Sequence, residues 1–198
     1  FHGVLAQLVF ALIVSLAAYL SPSFSAPPSA REIDPVRARR LKAFATALLH
    51  TLVLQLLLGA VGRHFRKSTH AVWTHAALSV VVVILATAVG FAAASLPRTA
   101  FGGVAALRRF GIALIALVNF QFLLGVAAFL IRGPQIKAES TFEALIRTAH
   151  QANGGLLIAT AACAFVWSRW LWRGVRPATP VRPPANSAIP AQPTAAAA

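Results

Sequence analysis

The sequence predicts an all-α polytopic membrane protein with about five transmembrane helices, the last four forming a pseudo-symmetric four-helix bundle. Three observations lead there. Of 198 residues, 58% are hydrophobic and only 11% charged, and the mean hydropathy is +0.73; a soluble chain of this length needs far more charged surface. Five apolar segments each reach the roughly 20 residues that cross a bilayer core. Two pairs of those segments repeat one design: Gln55-Leu56-Leu57-Leu58-Gly59 followed by a helix bearing His75, and Gln121-Phe122-Leu123-Leu124-Gly125 followed by a helix bearing His150.

The first segment runs from His2 to about Phe24 and is interrupted by Ser21-Pro22-Ser23. The second runs from about Lys42 to Arg63. The third covers about Thr69 to Leu96 and is closed by Pro97, which cannot continue a helix. The fourth spans about Leu107 to Ile131, ahead of Gly133-Pro134, and the fifth about Thr141 to Trp172. Trp73, Trp167, Trp170 and Trp172 lie near segment ends, where interfacial anchors sit. The chain therefore divides into an isolated transmembrane helix (residues 1–24), a cytoplasmic loop (25–41), a four-helix membrane bundle (42–173) and a tail (174–198). The tail is rich in Pro and Ala without apolar periodicity and reads as disordered.

The formal charge of +14 does not mark a nucleic-acid binder, because the cations sit in short loops and at segment ends rather than on a face interleaved with aromatics. They report topology instead. Arg31, Arg37, Arg39, Arg40, Lys42, Arg98, Arg108, Arg109, Arg169, Arg173, Arg176 and Arg182 fall on one side. Arg63, Arg66, Lys67, Arg132, Lys137 and Arg147 fall on the other. The larger set is assigned to the cytoplasm, which puts the C-terminus inside and His2 outside. Cys163 is the only cysteine, so an internal disulfide and a thiolate cluster are both excluded. There is no methionine and the chain opens on Phe1-His2, which suggests a natural start further upstream. The first segment is too long, and wrongly flanked, for a cleaved signal peptide.

Ionisable groups within a bilayer are costly and usually functional. At 1.5 Å per residue, His75 lies roughly 9 Å in from Thr69 and His150 roughly 13 Å in from Thr141; Gly59 and Gly125 lie roughly 6 and 10 Å from the outer ends of their helices. Two imidazoles and two residues without side chains converge on one layer. A haem iron asks for that arrangement, with axial nitrogens from opposite sides and small residues where the macrocycle meets backbone. The competing reading is hydrogen bonding between helices. Zinc or copper fits less well, since no carboxylate or thiolate lies nearby to complete a shell. Haem propionates need cationic partners, and Arg63, His64, Arg132 and Arg147 lie at the outer ends of the same helices. These residues read either as propionate partners, Arg147 foremost, or as interfacial anchors. His50 and Asn119 lie at similar depth in the inner half and are expected to hydrogen-bond to each other. His64 and His70 flank the outer loop. His2, with Gly3 beside it, heads the first segment and reads as a metal ligand whose partner helix is expected outside this sequence.

Taken in order, His2-Gly3 with Gln7, Gln55-x-x-x-Gly59 with Arg63-His64, His75, Gln121-x-x-Leu124-Gly125, and His150-Gln151 with Gly154-Gly155 resemble the heme A synthase family. The likeness runs to about Trp172 and covers helices four to eight of that family's eight-helix, two-half pattern. It implies a C-terminal half holding haem b through His75 and His150. It also implies an N-terminal catalytic half in which His2 matches one of the two histidines that hold the substrate, haem O. The implied reaction is oxidation of the haem O ring methyl to haem A for terminal oxidase assembly, by a multi-pass protein of the cell's inner (plasma) membrane. Haem O synthase or oxidase assembly factors are the partners this implies, along with self-association. The chain departs from the family pattern in two ways: no Asp or Glu falls inside a span beyond Glu143 at the very start of the fifth, and the outer-loop cysteine pairs are missing. On that basis this chain alone is not expected to complete the reaction. The second reading is a bis-histidine membrane cytochrome for quinone-linked electron transfer.

Overall fold

The computed structural model describes residues 2–25, 33–64, 69–97, 102–131 and 140–175. These form six helices: α1 His2–Tyr19, α2 Pro22–Ser25, α3 Pro35–His64, α4 Thr69–Ala94, α5 Gly103–Leu130 and α6 Thr141–Val175. Among the described residues there is no strand, and five of the helices are long and apolar enough to cross a membrane. Their outward surfaces carry large apolar side chains such as Leu12, Ile84, Phe91, Leu123 and Leu130, each more than 60% exposed. In water such surfaces would be a liability; in a bilayer they meet lipid.

Two helix starts are written in the local sequence. Asp34 caps α3, its carboxylate accepting from the Val36 amide at 3.0 Å, and Pro35 follows as the first helical residue, where its missing N–H costs nothing. Ser140 and Glu143 form a capping box at α6: the Ser140 amide donates to Glu143 Oε2 (2.9 Å) and the Glu143 amide to Ser140 Oγ (3.2 Å). The cap at Asp34 alters the expected boundary. Residues 35–41, expected in a cytoplasmic loop, are the first turns of α3, and Ala38 and Leu41 are buried in the core. Residues 26–32, and the tail from residue 176 on, lie outside the described residues.

Helices α3 to α6 form a closed square in which each packs antiparallel on the next, with α6 returning to α3. Helices α4 and α5 cross closely. A Cβ placed on Gly111 would lie 2.7 Å from the Gly90 carbonyl oxygen and 2.8 Å from the Ala94 amide nitrogen, so only glycine lets the two backbones meet there. Helix α1, expected to stand apart, lies parallel along the outside of α6: Gly3 sits by Gln151, Gln7 by Gly155, and Cys163 Sγ is 3.9 Å from the Val14 carbonyl. This makes α6 the central helix of the molecule. Trp167 and Trp170 do not anchor the interface as expected. They are 2% and 6% exposed, packed edge to face at 5.2 Å over Gly103, whose missing side chain leaves them room. Trp73 is exposed, and Trp172 lies beneath the Lys42 ammonium.

Candidate functional site

The square arrangement places α4 and α6 on one diagonal and α3 and α5 on the other. His75 and His150 project from the first diagonal into the interior, and their ring centroids are 6.5 Å apart with ring planes at 74°. Each ring rests against the glycine of the preceding helix. A Cβ on Gly59 would lie 3.1 Å from His75 Cε1, and one on Gly125 would lie 3.2 Å from His150 Cε1. The two glycines were expected to make room for a macrocycle; in this arrangement they make room for the imidazoles themselves. Both motifs use helical spacing to do so, since the glutamine and the glycine four residues later share one face.

The two glutamines hold the rings in different ways. His75 Nδ1–H donates to the Gln55 carbonyl oxygen at 3.1 Å, while Gln55 Nε2 donates to the His75 carbonyl at 2.9 Å. A carbonyl can only accept, so the proton sits on Nδ1 and the lone pair on Nε2. A second-sphere carbonyl fixes a metal-binding histidine in this manner. Gln55 Nε2 approaches His75 Nε2 only at 3.5 Å. In the other pair, Gln121 Nε2 lies 3.2 Å from both ring nitrogens of His150. Asn153 orients that amide, donating to Gln121 Oε1 (2.8 Å) and to the Leu117 carbonyl (3.0 Å). Asn153 is 5% exposed and was not singled out from the sequence. Its signal was available: it stands three residues after His150, on the same helical face.

At the helix ends nearest the two histidines, Arg63 Nη1 donates to Gln151 Oε1 at 2.8 Å, which ties α3 to α6 beside His150. Arg147 and His64 are exposed residues on these same two helices, each engaged in an interaction of its own. Arg132 lies outside the described residues. His70 is exposed. His2 is exposed on α1, and no hydrogen bond or ring contact joins it to His75 or His150. The expected His50–Asn119 hydrogen bond does not form. His50 Nδ1–H donates to the Thr46 carbonyl (2.8 Å) and Asn119 Nδ2 to the Ile115 carbonyl (2.7 Å), each one turn back on its own helix. Both side chains face outward from helices on opposite corners of the square, so they cannot meet. Each instead satisfies itself locally, as polar side chains within spans often do.

Among the described residues, no three His, Cys, Asp or Glu side chains converge. The site therefore offers two imidazoles, one with a defined lone pair, and no further ionisable donor. Set against known proteins, the chain matches no family model, no curated protein and no solved structure.

Proposed function

We propose that helices α3 to α6 hold a haem iron between His75 and His150, and that the chain is a heme A synthase-like membrane oxidoreductase component whose bundle carries a haem b. The observation that carries this reading is the separation of the two rings. Metal–imidazole bonds of about 2 Å on either side of one iron set ring centroids roughly 6 Å apart; the observed value is 6.5 Å. Two imidazoles without a third protein donor suit a metal that brings its own equatorial nitrogens and suit bare zinc or copper poorly. A haem held there would supply a redox-active iron, with His75 and His150 as the residues that would hold it.

The chain's own residues prepare that site. The Gln55 carbonyl keeps the His75 proton on Nδ1 and so leaves Nε2 free to ligate. Gly59 and Gly125 let the rings lie against their neighbouring helices. Gln121, oriented by Asn153, steadies His150 and must turn from one ring nitrogen for that nitrogen to ligate. Arg63, His64 and Arg147 stand at the outer end as candidates to meet propionates. The oxidation of haem O to haem A, the role of His2 toward that substrate, and partnership with haem O synthase or oxidase assembly factors rest on the motif resemblance. So does placement in an inner (plasma) membrane; charge bias supports a cytoplasmic C-terminus.

A second reading, a bis-histidine cytochrome for quinone-linked electron transfer, draws on the spans carrying no Asp or Glu beyond Glu143 in the first turn of α6. Purified protein should show a low-spin, six-coordinate haem spectrum and yield haem b on extraction. Catalytic reduction by quinol without haem O binding would select the cytochrome reading, and a protein without a Soret band after haem supplementation would refute both.

A further inference from the structure

At the end of the bundle away from the histidines, the α3–α6 seam gathers cations with few partners. Lys42 Nζ sits 4.9 Å from the Trp172 ring centroid, and the Arg169 guanidinium carbon sits 4.2 Å from the Phe165 ring centroid. Cation–π contacts place both groups without neutralising them. Thr46 is one turn on from Lys42. Its hydroxyl donates to the Lys42 carbonyl (2.7 Å) and accepts from Arg169 Nη2 at a long 3.5 Å. Arg169 Nε is buried and has no hydrogen-bond partner among the described residues. Arg173 follows one turn later on α6 and is exposed. A buried guanidinium N–H without an acceptor is costly, so such a group usually marks a missing partner.

The sequence shows what kind of partner is absent. Neither residues 35–46 of α3 nor residues 165–175 of α6 contain an Asp or Glu; the nearest described carboxylate on α3 is Asp34, engaged as its helix cap. The location selects further. Helix α6 has 35 residues, about 52 Å at 1.5 Å per residue, against a hydrocarbon core of about 30 Å. Its last turns, and Lys42 in the third turn of α3, therefore fall at headgroup level, with Phe165 and Trp172 alongside. Basic grooves between membrane helices at that level take anionic lipid headgroups.

We infer that the Lys42–Thr46–Arg169–Arg173 groove binds the phosphodiester headgroup of an anionic phospholipid. The phosphate oxygens accept from the Arg169 guanidinium, whose buried Nε requires a small side-chain shift to take part, and from the Lys42 and Arg173 side chains. A zwitterionic headgroup is disfavoured because its ammonium meets three cations and no carboxylate.

Native mass spectrometry of the detergent-purified protein with equal amounts of phosphatidylglycerol and phosphatidylcholine tests this. Wild type should retain phosphatidylglycerol preferentially, and each charge removed in Lys42→Gln, Arg173→Gln or Arg169→Gln should lower retention about fivefold. Lys42→Gln and Arg173→Gln remove partly or fully exposed groups, so they keep the test alive if Arg169→Gln fails to fold. Equal retention of the two lipids, or unchanged retention in the Lys42→Gln/Arg173→Gln double variant, would overturn the assignment. Displacement of the lipid by millimolar inorganic phosphate would equally reject a lipid headgroup in favour of a free anion.

Discussion

The bundle holds two copies of one helix pair, α3–α4 and α5–α6, and the copies differ where they touch their histidines. In both, a glutamine and a glycine one turn later face the imidazole of the next helix. In α5–α6 the Gln121 oxygen is satisfied by Asn153. The equivalent position in α4, three residues after His75, is Leu78, and Gln55 Oε1 is correspondingly buried with no partner among the described residues. The first copy compensates through backbone, the Gln55 carbonyl and the His75 carbonyl each taking a bond. The helix ends nearest the histidines diverge in the same sense. Arg147 and Gln151 in α6 correspond to Val72 and Ala76 in α4, and Arg63 in α3 corresponds to Phe129 in α5. One seam, α3–α6, thus carries the Arg63–Gln151 hydrogen bond, while the opposite seam, α4–α5, carries a Trp73–Phe129 edge contact at 5.6 Å. A repeated motif reproduces where a ring goes. It does not reproduce how the ring is held, because that depends on side chains outside the motif.

Breaking the shared feature should have the largest effect. His75→Ala and His150→Ala should each eliminate the low-spin bis-histidine spectrum, while His50→Ala, facing outward, should leave it intact; six-coordinate low-spin haem surviving in both of the first two would remove the ligand assignment. Next comes the crossing where the two copies join. Gly111→Ala should destabilise the protein by about 2–3 kcal/mol, since its methyl would press on backbone that cannot yield, and thermal unfolding in detergent would register the loss. A smaller effect is expected from making the second copy resemble the first. Asn153→Leu frees the Gln121 amide and should cost about 1–2 kcal/mol, with faster haem loss traceable to the His150 side. An unchanged haem dissociation rate would show that Asn153 serves packing alone. The reverse exchange, Leu78→Asn, offers Gln55 Oε1 a donor and should stabilise by about 0.5 kcal/mol; a melting temperature below wild type would indicate that the first copy has no room for the amide.

Much of the fold was legible because membrane spans are announced by composition and length alone. The spans, their order and the pairing of Gln-x-x-x-Gly with a downstream histidine follow from apolar runs and helical periodicity; the start of α3 does not, because the cap at Asp34 begins the helix at Pro35, ahead of the apolar run expected from Lys42. The expected His50–Asn119 bond failed because matching depth along two helices says nothing about which way each side chain faces. Trp167 and Trp170 were misread for a related reason. Closeness to a segment end suggests an anchor, yet Gly103 on another helix opens a pocket that draws both rings inward.

By itself, the sequence determined that this chain spans a membrane as helices and that two of those helices carry a histidine at similar depth. Tertiary structure alone decided that α4 and α6 occupy one diagonal of a closed square. Rotation about each helix axis and the order of packing are set by distant contacts, such as the Gly90–Gly111 crossing. Those contacts bring the His75 and His150 rings to 6.5 Å across the interior.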